Sequence, residues 1–158
     1  MRQAGDCTKR DCTGDPMSAE PLHVHYTVDG GNFISAGEAS VKVKRLLRQL
    51  GCSPETIRRV SIAMYEGEIN MVIHANGGDA DIFVDDATIR IVLKDTGPGI
   101  KDVEQAMQEG YSTAPDNIRA LGFGAGMGLP NMKRYSDTFN IDSVVGQGTT
   151  IELGFENR

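Results

Sequence analysis

The succession of helix-like and strand-like segments constrains the fold of this chain more than any other feature of its sequence. A strand pattern over residues 22–28 is followed by two helical patterns in direct sequence, at about 35–50 and 53–75. Gly51 is a typical stop for the first helix, and Ser53 is a typical N-cap for the second. Two consecutive helices between strands are not the βαβ alternation of a doubly wound parallel sheet.

The second half of the chain adds strands that are joined by short turns. The remaining predicted segments are strands at 81–84, 88–94, 138–143 and 149–155, a short helix near 103–108, and a helix from Pro130 to about Tyr135. Strands connected by turns this short pair in antiparallel fashion. The sequence therefore predicts an α+β fold, a two-layer α/β sandwich with a mixed, mostly antiparallel sheet and helices on one face.

The length of 158 residues is that of a single ordinary domain. Residues 1–19 are polar and show no period, which predicts a disordered N-terminal tail before a domain at 20–158. No secretory signal and no apolar run of about 18 residues is found, so we expect a cytoplasmic protein without a membrane contact. Cys7, Cys12 and Cys52 match neither a disulfide framework nor a zinc site and are interpreted as unpaired thiols.

The net charge of −6 argues against a nucleic-acid partner, because nucleic-acid binding needs a basic face. An acidic protein can still bind a nucleotide when magnesium and backbone N–H groups neutralise the phosphates. Residues 121–130, LGFGAGMGLP, offer an accessible backbone through the alternating glycines Gly122, Gly124, Gly126 and Gly128. The segment matches neither a P-loop nor a dinucleotide fingerprint. Alone, it fits a phosphate-binding loop or a mobile connector.

A polar stripe runs along the second predicted helix. Glu66, Asn70 and His74 are spaced i, i+4 and i+8, which places them on one side of an otherwise apolar helix. An asparagine oxygen can bind magnesium, and a carboxylate one turn earlier can orient or deprotonate a hydroxyl. The alternative is a solvated seam in which Glu66 and Glu68 are merely exposed.

Two glycine-rich turns complete the set of motifs. DTGPGI, residues 95–100, follows the strand at 88–94 and combines Asp95 with a turn that exposes its backbone. A carboxylate there can accept the exocyclic amine of a purine, although a plain surface turn has the same composition. GQGTTI, residues 146–151, reads as a hairpin.

Taken in order, these four motifs resemble the N, G1, G2 and G3 boxes of the GHKL family, whose ATP-binding domain is the Bergerat fold. The motifs are Glu66-x3-Asn70, Asp95-x-Gly97-x-Gly99, the loop from Gly122 to Gly128, and Gly146-x-Gly148-Thr149. The resemblance covers about residues 22–156. Within the family the chain is similar to the small bacterial anti-sigma factors and switch serine/threonine kinases.

The resemblance implies a role for each matching residue. It implies that Glu66 is the catalytic carboxylate, that Asn70 coordinates Mg²⁺, and that Asp95 binds the adenine amine. The other residues implied to bind ATP are Gly97 and Gly99 at the adenine pocket, Thr149 beside the base, and Gly122, Gly124, Gly126, Gly128 and Leu129 in the lid around the triphosphate. Pro130 leads into the helix on the phosphate side.

The resemblance also implies a function and its partners. The expected activity is ATP-dependent phosphorylation of a serine or threonine on a STAS-domain protein, in a bacterial partner-switching pathway. The alternative is an anti-sigma factor that mainly sequesters a sigma factor, with ATP binding as the switch. A homodimer is common among such small kinases.

Some positions depart from the family pattern. His74 is interpreted as a packed or capping histidine rather than a phosphate donor. Residues 114–121 are interpreted as an insertion before the glycine loop. The charges of Arg119, Lys133 and Arg134 are interpreted as solvated.

Overall fold

The computed structural model describes residues 19–120 and 126–158, without the side chains of residues 119 and 120. The expected disordered tail lies almost entirely outside the described residues, as do Cys7 and Cys12. Two glycines of the predicted lid, Gly122 and Gly124, and the side chain of Arg119 also fall outside them. Of the described helices, none has the length and apolar character needed to cross a membrane.

A single five-stranded sheet, with strand order β1-β2-β3-β5-β4, forms one layer of the domain. The described elements are β1 (Leu22–Asp29), α1 (Glu38–Gln49), α2 (Pro54–Ala75), β2 (Gly77–Val84), β3 (Thr88–Lys94), α3 (Val103–Ala106), α4 (Asp116–Ala120), α5 (Gly128–Tyr135), β4 (Thr138–Val144) and β5 (Gly148–Glu156). All four strand pairings are antiparallel. The expected α+β architecture is confirmed, and the described sheet contains no parallel pair.

The core lies between one face of the sheet and helices α1, α2 and α5. On β3, Ile89, Ile91 and Leu93 are buried while Arg90 and Lys94 are exposed, as a strand with one covered face requires. The largest fully buried side chains come from both layers: Leu47, Met64, Ile82, Ile89, Ile91, Met132, Leu153 and Phe155. The helix α2 therefore has most of its surface inside the protein, as its apolar sequence predicts.

Strand β2 begins at Gly77, four positions before the predicted start at Asp81. Gly77 pairs with Asp29, and a Cβ at Gly77 would overlap the Val28 carbonyl oxygen. Asn76 ends α2 in the left-handed conformation, with φ of 57°. The Asn-Gly-Gly sequence thus both ends the helix and starts the strand, because only glycine fits so close to the β1 backbone.

Helix α5 begins at Gly128, before the predicted start at Pro130. Proline is accommodated there because N–H groups in the first helical turn have no partner within the helix. The segment interpreted as an insertion contains a short helix, α4, whose Ile118 is buried. That helix was not predicted, because a single turn carries too little periodicity to be read from sequence.

Glu68 is only 2% exposed, which contradicts the alternative of a solvated seam for this residue. Its Oε1 accepts hydrogen bonds from the backbone N–H groups of Gly37 and Ala39, at 2.9 and 3.1 Å. Its Oε2 accepts from the N–H and the hydroxyl of Ser40, at 2.9 and 2.6 Å. The carboxylate therefore caps the N-terminus of α1, where free N–H groups and the helix dipole favour a negative charge.

Candidate functional site

A cavity of about 500 Å³ opens between α2, the loop after β3 and the first turn of α5. Its walls combine residues from all four sequence motifs. The predicted site residues that line it are Glu66, Asn70, Asp95, Gly99, Gly126, Gly128, Leu129 and Thr149. A concave site of this volume is of the size that binds small molecules and cofactors. The fold thus brings together side chains and backbone that are far apart in sequence.

One end of the cavity, here called the base end, is built around Asp95. The Asp95 backbone N–H donates to the Thr149 carbonyl at 2.9 Å, which continues the pairing of β3 with β5. Its Oδ1 accepts from the backbone N–H of Gly97 at 2.9 Å and of Thr149 at 3.2 Å. Within the described residues, the second carboxylate oxygen has no hydrogen bond. Asp95 is thereby held by one oxygen and keeps the other for a ligand donor.

The loop that follows Asp95 packs backbone to backbone against the β4–β5 hairpin. Gly99 has φ of 75°, and a Cβ there would overlap the Val144 carbonyl oxygen. Gly148 has φ of 134°, and a Cβ there would overlap the carbonyl oxygen of Asp95. The Gly146 N–H donates to the Pro98 carbonyl at 2.8 Å. Glycine is required at positions 99 and 148 for steric reasons as well as for conformation.

Gly97 lies behind the base end and does not line the cavity. A Cβ at Gly97 would lie 2.6 Å from the Cβ of Ala75, at the end of α2. Gly97 therefore sets the distance between the loop and α2, and its N–H orients Asp95. Its contribution to the cavity is through this packing.

Ser143 joins the loop to the hairpin and was missed by the sequence analysis. Its hydroxyl accepts from the Ile100 N–H at 2.8 Å and lies 2.8 Å from the Thr149 hydroxyl. Ser143 is the cross-strand partner of Thr149. The pairing of two hydroxyl residues across a predicted hairpin was the available signal.

The other end, here called the phosphate end, is formed by α2 and the first turn of α5. A Cβ at Gly128 would lie 3.1 Å from both terminal atoms of the Asn70 amide. The Asn131 side-chain N–H donates to Oε1 of Glu66 at 3.2 Å. Asn131 was also missed, although it lies within the helix that was predicted to follow the glycine loop. Helices α2 and α5 therefore contact each other at Glu66, the expected catalytic residue, and at Asn70, the expected magnesium ligand.

Gly126 closes the described part of the glycine loop. It has φ of 80°, and a Cβ there would overlap the backbone of Gly110. The Gly110 N–H donates to the Gly126 carbonyl at 3.0 Å. Gly126 thus makes a backbone contact with Gly110 that tolerates only glycine at position 126.

His74 lines the cavity from the last turn of α2 and is exposed. The interpretation was a packed or capping histidine, and the exposure of the ring argues against the packed alternative, whereas the position in the last turn of α2 is that of a capping residue. The concave surroundings reduce hydration of the ring and lower its pKa below the ordinary 6.5, and the charge of Asp95 opposes this shift. Lys133 and Arg134 are exposed and do not line the cavity, and Arg134 lies 3.6 Å from Glu109.

Comparison with known proteins relates both the sequence and the fold to one group. Residues 34–155 match the family model of the histidine kinase-like ATPase domain. The chain is 32% identical to the serine/threonine-protein kinase RsbT of Bacillus subtilis (strain 168), over 69% of this chain and 79% of that protein. It is 30% identical to the anti-sigma F factor of Anoxybacillus flavithermus (strain DSM 21510 / WK1), over 73% of this chain and 80% of that factor.

A solved structure shares the fold. The RsbU and RsbW domains of Rv1364c from Mycobacterium tuberculosis superpose with a TM-score of 0.60 at 18% identity. The match covers 87% of this chain and 33% of that one. At this identity the similarity establishes the arrangement of helices and sheet.

Proposed function

Because the chain belongs to the histidine kinase-like ATPase domain family, we propose that it is a Mg²⁺-dependent serine/threonine protein kinase of a bacterial partner-switching pathway. The membership confirms the expected GHKL resemblance and ATP as the ligand of the domain. The observation that carries the proposal is that one cavity holds Glu66, Asn70 and Asp95 together. The similarity to a serine/threonine-protein kinase supports protein phosphorylation as the activity. Such a reaction belongs in the cytoplasm.

The geometry suggests how ATP lies in the cavity. Adenine has an exocyclic amine, which the free oxygen of Asp95 can accept at the base end. The Thr149 hydroxyl stands beside it, held by Ser143. The triphosphate then extends toward the phosphate end, where the N-terminus of α5 offers free N–H groups and a partial positive charge. Gly126, Gly128 and Leu129 border this end, and we assign Gly122 and Gly124 to the same lid.

Magnesium fits the phosphate end through Asn70. The described residues contain no cluster of three or more histidine, cysteine or acidic side chains arranged for a metal. Magnesium commonly takes few protein ligands and fills its shell with phosphate oxygens and water. The amide oxygen of Asn70 is such a ligand, and Gly128 leaves space beside it. When bound, the ion neutralises phosphate charge and orients the triphosphate for transfer.

Glu66 is the group proposed to act on the acceptor hydroxyl. It lies one helical turn before Asn70 on the same side of α2, and both line the cavity. In the transfer, the bond between the γ-phosphorus and the β–γ bridging oxygen breaks, and a bond to the serine or threonine oxygen forms. Glu66 accepts the hydroxyl proton, and ADP leaves with the bridging oxygen. Positioning and charge stabilisation supply most of the rate in this chemistry.

Two relatives suggest two ways of using the same site. Similarity to the kinase RsbT favours phosphorylation of a STAS-domain protein as the main task. Similarity to anti-sigma F factors favours the second candidate, in which the protein sequesters a sigma factor and ATP acts as the switch. Both require ATP, so the acceptor and the tightly bound partner distinguish them.

Phosphate transfer from γ-labelled ATP tests the proposal directly. The purified protein is mixed with Mg²⁺ and, one at a time, with STAS-domain proteins from its own genome. We expect label on one acceptor, with the rate lowered at least about 100-fold by Glu66→Gln, because that variant removes the proton acceptor at nearly the same volume. Glu104→Gln is the matched control, since Glu104 is exposed on α3 and outside the cavity.

The outcomes separate the candidates. Transfer that needs Glu66 but not Glu104 supports the kinase. Tight binding of a sigma factor, without transfer to any STAS-domain protein, supports the sequestering role instead. Equal transfer by wild type and Glu66→Gln contradicts the role given to Glu66.

A further inference from the structure

The first turn of α5 contacts α2 at both residues that carry the proposed chemistry. Gly128 lies against the Asn70 amide, and three residues later Asn131 donates to Glu66, which lies four residues before Asn70. Residues three or four positions apart lie on the same side of an α-helix. Gly128 and Asn131 therefore share one side of α5, and Glu66 and Asn70 share one side of α2. The start of α5 is therefore in register with the Glu66–Asn70 stretch of α2.

The far end of α5 is fixed independently. The Arg59 side chain donates from Nε to the Tyr135 carbonyl at 3.1 Å and lies 2.8 Å from the Asp137 carboxylate. Asp137 in turn accepts from the Glu156 N–H at 2.7 Å. Met132 packs fully buried between these ends. Helix α5 is thus anchored on α2 and on the sheet, and its first turn carries Asn131.

The Glu66 carboxylate accepts a hydrogen bond from the Asn131 side chain. Among the described side chains, Asn131 is the hydrogen-bond partner of the Glu66 carboxylate. A side-chain amide donates a hydrogen bond without giving up its proton at neutral pH. It can therefore fix a carboxylate and leave it able to accept a proton, whereas a lysine or arginine would hold it in an ion pair.

We propose that Asn131 is a positioning residue that holds Oε1 of Glu66, so that Oε2 is presented to the acceptor hydroxyl. The inference rests on the proposed kinase function, in which Glu66 accepts the proton. Asn131 touches Glu66 and acts on the reaction through it.

Single-turnover transfer of labelled phosphate to the STAS-domain acceptor tests this role. Asn131→Ala should slow transfer about tenfold, the effect of losing one hydrogen bond to a carboxylate. The affinity for ATP with Mg²⁺ and the melting temperature should stay near their wild-type values. Asn140→Ala is the matched control, because Asn140 is exposed on β4 and outside the cavity. Asn131→Gln, which keeps the amide on a longer stem, should recover part of the rate.

A double-mutant cycle distinguishes positioning from an independent effect. If Asn131 acts through Glu66, adding Asn131→Ala to Glu66→Gln should slow the residual transfer less than twofold. A tenfold loss in both backgrounds would overturn the inference, as would weaker ATP binding at an unchanged transfer rate. Should Asn131→Ala unfold, the nearly isosteric Asn131→Asp replaces it, and repulsion between two carboxylates should then slow transfer more than tenfold.

Failure of the inference and of the proposed function give different results. If phosphate transfer requires Glu66 and is as fast in Asn131→Ala as in the wild type, only the positioning role is overturned. A wild-type protein that binds ATP and transfers phosphate to no acceptor overturns the kinase function and the positioning role together.

Discussion

The two ends of the cavity are constructed differently. At the base end, backbone packs on backbone: Gly99 lies against Val144 and Gly148 against Asp95, with Ser143 bonded to both sides. At the phosphate end, side chains from two helices meet, and the contacts are Asn131 to Glu66 and Gly128 to Asn70. The base end is thus part of the sheet, whereas the phosphate end depends on how α5 lies on α2.

This difference predicts that changes in packing at the base end mainly lower stability, whereas changes at the phosphate end mainly lower the rate of phosphate transfer. A side chain added at Gly99 or Gly148 of the base end alters main-chain approaches that the β4–β5 hairpin needs, so stability should fall along with nucleotide affinity. A change at the phosphate end alters side-chain positions next to the reacting groups, so the transfer rate should fall with little loss of stability.

The largest effect is expected from adding one methyl group at each end. Gly148→Ala introduces a Cβ that overlaps the Asp95 carbonyl oxygen, at a φ of 134° that other residues avoid. We expect its free energy of unfolding to fall by about 3 kcal/mol. Gly128→Ala has no such φ, and its Cβ would lie 3.1 Å from the movable Asn70 amide. It should cost less than about 1 kcal/mol in stability.

Urea denaturation of both variants measures these costs, and single-turnover transfer measures the rate. Gly128→Ala should slow transfer several-fold, because its methyl group displaces the proposed magnesium ligand. Equal destabilisation by the two methyl groups would remove the distinction between the ends. A folded, fully active Gly148→Ala variant would show that the base end is not rigid.

Asp95→Asn tests whether the base end serves the ligand separately from the fold. The amide keeps one acceptor oxygen for the N–H groups of Gly97 and Thr149. Its NH2 group, however, would face the adenine amine with a donor instead of an acceptor. We expect ATP to bind about 100-fold more weakly, equivalent to about 2.7 kcal/mol, at a nearly unchanged melting temperature.

Isothermal titration with ATP and Mg²⁺ provides the affinity for this comparison. Asp142→Asn is the matched control, because Asp142 is exposed on β4 and outside the cavity. Wild-type affinity in Asp95→Asn would contradict the adenine assignment. A large drop in melting temperature would instead assign Asp95 mainly to the loop.

The elements of the fold were largely predictable because their periodicities are local. The apolar pattern of α2 and the alternation of β3 each follow from one burial geometry that repeats along the segment. The misplaced starts of β2 and α5 have a different origin. Gly77 becomes a strand residue only because the β1 backbone lies beside it, and no pattern in the neighbouring sequence contains that contact.

The site was predictable as a set of motifs and not as a set of contacts. Asn131 and Glu66 are 65 positions apart, so their hydrogen bond depends on how two helices dock. Ser143 is paired with Thr149 only through the register of the hairpin. Glu68 looked like an exposed neighbour of Glu66, yet it caps α1, because its partners come from a helix 28 to 31 positions earlier. The periodicity of the sequence does not show which distant residues form hydrogen bonds with a polar side chain.

The smallest effects concern two histidines whose pKa values shift in opposite directions. His74 lies in the cavity near Asp95, and reduced hydration lowers its pKa below 6.5. The unfolded chain therefore takes up a proton at about pH 6.5 while the folded protein does not, so His74 makes stability fall as the pH drops below 6.5. His25 lies on the open face of the sheet, and its hydrogen bond to Asp81 raises its pKa above 6.5. The stability that protonated His25 contributes is present below pH 6.5, and it is lost as the pH rises through the pKa of His25 in the folded protein.

Melting temperatures measured from pH 5 to pH 8 separate the two histidines by their pH windows. His74→Gln should reduce the loss of stability below pH 6.5 and leave the range above it unchanged. His25→Gln should flatten the profile only above pH 6.5, and by a small amount, because the pair it forms with Asp81 and Asp79 is exposed. If the base end is rigid, it cannot rearrange to hydrate a protonated His74, and the loss of stability below pH 6.5 persists. If His74→Gln leaves the loss of stability below pH 6.5 unchanged, the cavity does not limit hydration of the protonated ring, and the rigidity that distinguishes the base end from the phosphate end is contradicted.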